Sequence, residues 1–141
     1  MHVDSRGLRF SAWITTVVLA VVLVTGSGWL LLAQTLVFAV GAFAGLRYAP
    51  YGVLYRRAVA PHLHSPAQRE PEPPPRFAQG VGFVFAAVGT AGFLVGIPAL
   101  GLAAAGIALA AAFLNAAFGL CLGCQTYLII VRTTNHKGAT A

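Results

Sequence analysis

Two long stretches without a charged side chain constrain this sequence more than any other feature. No Asp, Glu, Lys or Arg occurs from Phe10 to Leu46 or from Phe77 to Val131, which are stretches of 37 and 55 residues. About 20 apolar residues in a helix cross a hydrocarbon core roughly 30 Å thick, so each stretch is long enough for two crossings. Soluble domains are about 25% charged, whereas this chain is 9% charged and 58% apolar. The pattern predicts an integral membrane protein.

Turn-forming residues divide each stretch into two predicted helices. The cluster Thr25-Gly26-Ser27-Gly28 interrupts the first stretch and Gly96-Ile97-Pro98 the second, because glycine favours turns and proline lacks an amide donor. We therefore predict an all-α, polytopic membrane protein with four transmembrane helices in two hairpins. The whole chain, residues 1–141, forms one membrane domain, with helices at about 10–25, 29–46, 77–95, and 99–120 or longer.

The basic residues predict the orientation of these helices. All nine lie in the two terminal tails or in the linker 47–76, and both short turns have none. Loops rich in Lys and Arg remain in the cytoplasm, so we expect a multi-pass protein of the inner (plasma) membrane with both termini and the linker cytoplasmic. The net charge of +6 suits anionic lipid headgroups. We expect the lipid bilayer as a partner and no nucleic acid, since no basic stripe alternates with exposed aromatic residues.

The linker contains two kinds of segment. Residues 51–60 carry apolar and aromatic side chains at helical intervals beside Arg56 and Arg57, which favours a short helix at the membrane interface. The proline-rich segment 70–75 predicts an extended, solvated spacer.

Small and polar residues within the stretches indicate how the helices pack. Small residues recur every four positions, and such residues let membrane helices approach closely. Gln79 and Asn115 are polar residues predicted near the cytoplasmic side, where an unpaired polar group needs a hydrogen-bond partner. The small residues are Gly41 and Gly45, then Gly82, Ala86 and Thr90, and then Ala104, Ala108, Ala112 and Ala116.

The chain's two cysteines, Cys121 and Cys124, are the residues most able to carry chemistry. They lie beyond the length that one crossing needs and beside Gly119 and Gly123, which would permit a kink or a break. On a continuous helix the two sulfurs share a face. If the helix breaks at Gly119, the cysteines would instead open a new helical turn, where the amide dipoles favour a thiolate.

Three roles for this pair remain open at this stage. A cytoplasmic pair should rest reduced and suits redox or sulfur-transfer chemistry. A metal site would need further ligands, for which His62 and His64 in the linker are the candidates. The third role is packing alone, since cysteine is a small apolar residue.

Two motifs give the chain a family resemblance. Arg76-Phe77-Ala78-Gln79-Gly80 and Gly119-Leu120-Cys121-Leu122-Gly123-Cys124 resemble an uncharacterised domain-of-unknown-function family of small bacterial, largely actinobacterial, four-helix membrane proteins with a terminal Gly-x-Cys-Leu-Gly-Cys motif. The resemblance implies association with sulfurtransferase-like (rhodanese-like) and thioredoxin-like proteins. It favours Cys121 and Cys124 as catalytic residues, with Arg76, Gln79 and Asn115 as possible positioning residues.

We therefore expect a partner in thiol redox or sulfur transfer that acts through a dithiol at the cytoplasmic face. The alternative is a non-catalytic accessory subunit or assembly factor of a larger membrane complex. Whether the protein is an enzyme is left open. We expect no cofactor, and a metal is left undecided. Three acidic residues in the whole chain make acid–base hydrolysis improbable, and the absence of intramembrane charge argues against an ion pathway.

Overall fold

The computed structural model describes residues 2–59, 69–71, 73–118 and 122–140, which are helical apart from turns and one short pair of strands. The strands β1 (His2–Asp4) and β2 (Arg69–Pro71) pair antiparallel, with Val3 opposite Glu70. The α-helices are α1 (Ser5–Thr25), α2 (Gly28–Ala39), α3 (Pro50–Leu54), α4 (Pro73–Leu94), α5 (Pro98–Phe118) and α6 (Leu122–Thr140).

Two of these helices continue into wider turns. The chain passes from α2 into a π-helical turn at Val40–Ala44 and then a 3-10 turn at Leu46–Tyr48. It passes from α3 into a second π-helical turn at Tyr55–Val59. Such π-helical turns are uncommon and often lie at functional sites.

The prediction of a helical chain with helices able to span a membrane is confirmed at the level of length and composition. Three helical segments of the described chain are long and apolar enough to cross a membrane: Arg6–Thr25, Pro75–Leu94 and Pro98–Phe118. A shorter apolar helix covers Gly28–Ala44.

The helix ends differ from the predicted ones where charge and proline were taken as boundaries. The first helix begins at Ser5 rather than at residue 10, and the predicted extended spacer at 70–75 instead contains the start of α4 at Pro73. Prolines are tolerated in a first helical turn, because the amide that they lack has no intrahelical acceptor there. The fourth predicted helix ends at Phe118, and α6 begins at Leu122.

Local hydrogen bonds explain the two short turns. Ser27 caps α2 by accepting a hydrogen bond from the Leu30 amide at 3.2 Å. After α4 the chain turns at Gly96, which has a positive φ of 86°, and the Ile97 amide donates to the Gly92 carbonyl at 2.7 Å. This is the Schellman arrangement, in which glycine takes the left-handed conformation without steric cost.

The packing order of the helices differs from their order in the sequence. The main neighbour of α1 is α5, and α4 packs against α2, α5 and α6. A hydroxyl pair, Thr35 and Thr90, lies buried between α2 and α4 with the oxygens 3.2 Å apart. The buried apolar core consists of Leu19, Val22, Leu31, Phe38, Ala86, Ala105 and Ala108.

Candidate functional site

The second cysteine of the predicted pair lies at the start of α6. Because that helix begins at Leu122, Cys124 is in its first turn, and its side chain is partly buried. Helix N-termini carry a partial positive charge that favours a thiolate over a thiol. Cys121 lies outside the described residues; in sequence it immediately precedes Leu122.

An aromatic contact fixes this part of α6 against α4. The rings of Phe77 and Tyr127 are tilted at 47° with centroids 5.8 Å apart, a favourable separation for an aromatic pair. Tyr127 follows Cys124 by three residues, and residues at this spacing share a helix face. The N-terminal parts of α4 and α6 are therefore neighbours.

The predicted positioning residue Arg76 binds backbone carbonyls at the end of the α2 segment, which is α2 together with its π-helical turn (Gly28–Ala44). Its Nε donates to the Ala42 carbonyl at 2.7 Å, and its Nη2 donates to the Phe43 carbonyl at 3.0 Å. The last carbonyls of a helix lack intrahelical donors. Arg76 supplies two hydrogen-bond donors to these carbonyls, and it thereby holds the start of α4 against the end of the π-helical turn.

Gln79, one turn further along α4, contacts the same segment. A Cβ added at Gly41 would lie only 3.0 Å from the Gln79 Oε1 atom, so the absence of a side chain at Gly41 lets the amide approach the backbone. The ring contact of Phe43 with Phe83, at 5.2 Å between centroids, extends this interface by another turn. These contacts of Arg76 and Gln79 are with the α2 segment, whereas Phe77 contacts α6.

Asn115, the third predicted positioning residue, is partly buried near the end of α5. The next residue, Ala116, is fully buried and its carbonyl accepts a hydrogen bond from the Arg9 Nη2 atom at 3.1 Å. Arg9 and Arg76 thus join the starts of α1 and α4 to the ends of α5 and of the α2 segment. Arg9, Arg76 and Asn115 therefore lie at one end of the bundle.

A second polar site was missed by sequence reasoning. The Tyr51 hydroxyl on α3 donates to the Gln34 Oε1 atom on α2 at 2.7 Å. Gln34 is 1% exposed, and its Nε2 is the buried side-chain nitrogen or oxygen that lacks a hydrogen-bond partner among the described residues. Burial raises the pKa of the Tyr51 phenol above its ordinary value of 10.0, which keeps the donor protonated.

The same short segment also contacts α1. Tyr55, four residues after Tyr51, is buried, with its ring near Gly7 and 5.7 Å from the Phe10 ring. The two tyrosines therefore connect α2 with α1. The four-residue spacing of the two tyrosines was visible in the sequence, but it did not show which residue each tyrosine contacts.

The metal hypothesis receives no ligand set from the described residues. Among them, no group of three or more His, Cys, Asp or Glu side chains is arranged to hold a metal ion. The candidate ligands His62 and His64 lie outside this part of the chain.

Comparison of the sequence with known families identifies the chain at the family level. The sequence model described as "Domain of unknown function (DUF4395)" matches residues 3–132. The chain belongs to the DUF4395 family. Comparisons of this DUF4395 chain with curated proteins and with solved structures give no match.

Within this DUF4395 chain the two sequence motifs have different surroundings. The Arg76–Gly80 motif fastens α4 to the α2 segment through Arg76 and Gln79 and contacts α6 through Phe77. The described part of the cysteine motif is the first turn of α6, including Cys124. Phe77 and Tyr127 are the contact through which one motif touches the helix of the other.

Proposed function

We propose that this DUF4395 chain exchanges thiols or sulfane sulfur with a soluble partner through Cys121 and Cys124. The observation that carries the proposal is the start of α6 at Leu122, which puts Cys124 in the first turn of a helix that is 19 residues long. Amide dipoles at the start of a helix favour a thiolate, which is the reactive form of cysteine. The partner would be a sulfurtransferase-like or thioredoxin-like protein, as the resemblance to a bacterial, largely actinobacterial, family implies.

The exchange would proceed in two balanced steps. One thiolate attacks a sulfur of the partner's disulfide, which forms a mixed disulfide and releases the partner's other sulfur as a thiolate. The second cysteine, as a thiolate, then attacks the mixed disulfide. This step forms a Cys121–Cys124 disulfide and releases the reduced partner. Two electrons pass to the partner, and the chain's two thiols give up two protons.

The proposal includes a membrane topology. The Gly28–Ala44 helix and the three longer apolar segments would give four crossings of the plasma membrane, since about 17 residues is the lower limit for one. Arg9 and Arg76 hydrogen-bond to helix ends on the same side of the bundle. The turns after α1 and α4 carry no charge. These observations support two hairpins with both termini and the linker in the cytoplasm.

Arg76, Gln79 and Asn115 would act as positioning residues. Arg76 and Gln79 fix the register of α4 on the α2 segment, and the Phe77 ring then packs on Tyr127, one turn after Cys124. Loss of this packing would change how far the thiol is exposed. Asn115 lies at the same end of the bundle, close to the end of α5.

Labelling with a membrane-impermeant maleimide in vesicles of known orientation tests the proposal. We expect labelling in inside-out vesicles only, with more after reduction. Val95→Cys in a Cys121→Ser/Cys124→Ser chain is the orientation control, because Val95 lies in the opposite turn and is 69% exposed. That control should label only in right-side-out vesicles. Absence of labelling at the natural cysteines in both orientations, after reduction, would contradict the thiol proposal.

One observation favours the accessory-subunit alternative. A Cβ added at Gly106 on α5 would meet nothing within 4 Å, and Ala103 and Ala110 on the same helix face are exposed. Small residues at this spacing are typical of contacts between membrane helices. Gly106→Leu should then abolish co-purification of a partner subunit in mild detergent without lowering thermal stability. If no partner co-purifies with the unsubstituted chain, the alternative fails.

A further inference from the structure

A line of aromatic side chains runs along the outer side of the contact between α1 and α5. The rings of Trp13 and Phe113 meet edge to face with centroids 6.2 Å apart, and Phe113 meets Phe118 in the same way at 6.2 Å. All three remain accessible, with exposed fractions of 46%, 43% and 71% respectively. In an aqueous protein such a surface would be costly, whereas a lipid chain can cover it.

A fixed cation lies beside this aromatic line. Arg9 precedes Trp13 by four residues, so the two share a face of α1. The Arg9 guanidinium donates through Nη2 to the Ala116 carbonyl on α5 at 3.1 Å, yet the side chain is exposed. This bond uses one of the five N–H groups that a guanidinium carries, and it holds the charge across the α1–α5 contact.

The charge at this position lacks an acidic counterpart on either helix. Neither α1 nor α5 contains an Asp or Glu, and the chain's three acidic residues are Asp4, Glu70 and Glu72. A guanidinium binds phosphate oxygens strongly through parallel N–H donors. Aromatic side chains with an adjacent cation are typical of the level at which headgroups meet acyl chains.

We propose that Arg9, Trp13, Phe113 and Phe118 form a binding site for one anionic phospholipid. The phosphate of the headgroup accepts hydrogen bonds from Arg9, and an acyl chain lies along the three rings. The site goes beyond the thiol function. It rests on the membrane location proposed above and is independent of Cys121 and Cys124.

The chain's two tryptophans provide a matched pair of reporters for this site. Trp29→Phe leaves Trp13 as the single tryptophan, and Trp13→Phe leaves Trp29, which is 70% exposed at the start of α2. About 18 Å of helix separates Trp13 from the end of α1, and Trp29 lies just beyond that end. Lipids brominated on the acyl chain quench a tryptophan that they touch.

The experiment compares brominated phosphatidylglycerol with brominated phosphatidylcholine, at equal mole fraction, in phosphatidylcholine vesicles that contain the full chain. We expect Trp13 quenching to indicate roughly fivefold preferential binding of the anionic lipid, the ratio for one arginine at a lipid surface. Trp29 should show no preference. Arg9→Gln should remove the preference at Trp13, whereas Arg57→Gln, which changes an exposed arginine after α3, should not.

Two further variants separate binding from folding. Arg9→Lys keeps the positive charge, so it should retain much of the preference that Arg9→Gln loses. Trp29 quenching should be the same with and without Arg9→Gln. The proposal is overturned if Trp13 shows no preference for the anionic lipid, or if its preference survives Arg9→Gln. Absence of quenching at both tryptophans would overturn the membrane location and this site, and it would leave the thiol exchange to be judged by labelling.

Discussion

Among the residues that the structure describes, Gln34 is the one whose burial is least matched by hydrogen bonds. Its Oε1 accepts from the Tyr51 hydroxyl at 2.7 Å, while its Nε2 is buried without a partner among the described residues. A buried amide that lacks one partner costs about 1–3 kcal/mol. The hydrogen bond from Tyr51 therefore satisfies only one of the two buried polar groups of the Gln34 amide.

This imbalance predicts how the stability of the unsubstituted chain compares with that of a single variant and a double variant. Tyr51→Phe leaves both amide groups of Gln34 without a partner, so it should lower the free energy of unfolding by about 1–3 kcal/mol. Gln34→Leu/Tyr51→Phe removes both polar groups and should be at least as stable as the unsubstituted chain. Thermal unfolding in detergent, followed by circular dichroism, measures the order. If Tyr51→Phe leaves the thermal stability unchanged, Gln34 has another hydrogen-bond partner.

Tyr51 also predicts a pH dependence of stability. Burial raises its pKa above 10.0 in the folded chain, while the unfolded chain titrates near the ordinary value. The folded state therefore holds this proton more tightly, and the resulting stability is complete below about pH 10 and is lost as the pH rises above it. Above that pH, the unfolding temperature should fall less steeply with rising pH in Tyr51→Phe than in the unsubstituted chain. Identical profiles for the two proteins would contradict this assignment.

At the scale of elements, one side chain donates two hydrogen bonds from the start of α4 to the end of the α2 segment. Arg76→Ala would leave the carbonyls of Ala42 and Phe43 without the donors that now lie at 2.7 and 3.0 Å. We expect a loss of about 1–3 kcal/mol in unfolding free energy and faster tryptic cleavage in the 3-10 turn that follows. Arg57→Ala is the control, because Arg57 is exposed. Equal stability of the two variants would show that water replaces Arg76.

The sequence was most informative about element boundaries that are determined by the residues at the boundary itself. Glycine clusters predicted the breaks after α1 and α4, because a positive φ or a missing amide acts on the residue itself. The start of α4 was predicted four residues late, because Pro73 and Arg76 were taken as linker residues although a first helical turn accepts both.

Tertiary contacts were predicted less well than the elements themselves. The segment 51–60 was predicted as a short helix, and Pro50–Leu54 and Tyr55–Val59 are helical, but the Tyr51–Gln34 hydrogen bond and the contact of Tyr55 with α1 were not predicted. These are contacts between residues distant in sequence, which periodicity does not encode. The candidate thiol site was chosen from the spacing of the two cysteines, their flanking glycines, the expected cytoplasmic location and a family resemblance, and its first member lies outside the described residues.

At the scale of the whole molecule, the small residues of α5 have two different surroundings. Most of the alanines predicted as packing positions, Ala104, Ala108 and Ala116, are buried inside the chain. The Gly92–Gly101 crossing brings the backbones of α4 and α5 close together, since a Cβ at Gly92 would lie 2.9 Å from the Gly101 backbone nitrogen. Because the contact is with backbone, the helices themselves would have to separate to admit a methyl group.

Gly92→Ala and Gly106→Ala should therefore change stability in opposite directions. Overpacking at Gly92 should cost about 1–3 kcal/mol, whereas Gly106 has open space and alanine in a helix gains roughly 0.5–1 kcal/mol over glycine. Since α4 also packs on α6, displacing it should loosen the Phe77–Tyr127 contact and speed maleimide labelling of Cys124 in Gly92→Ala alone. Equal unfolding temperatures and labelling rates in the two variants would mean that α4 and α5 do not approach this closely.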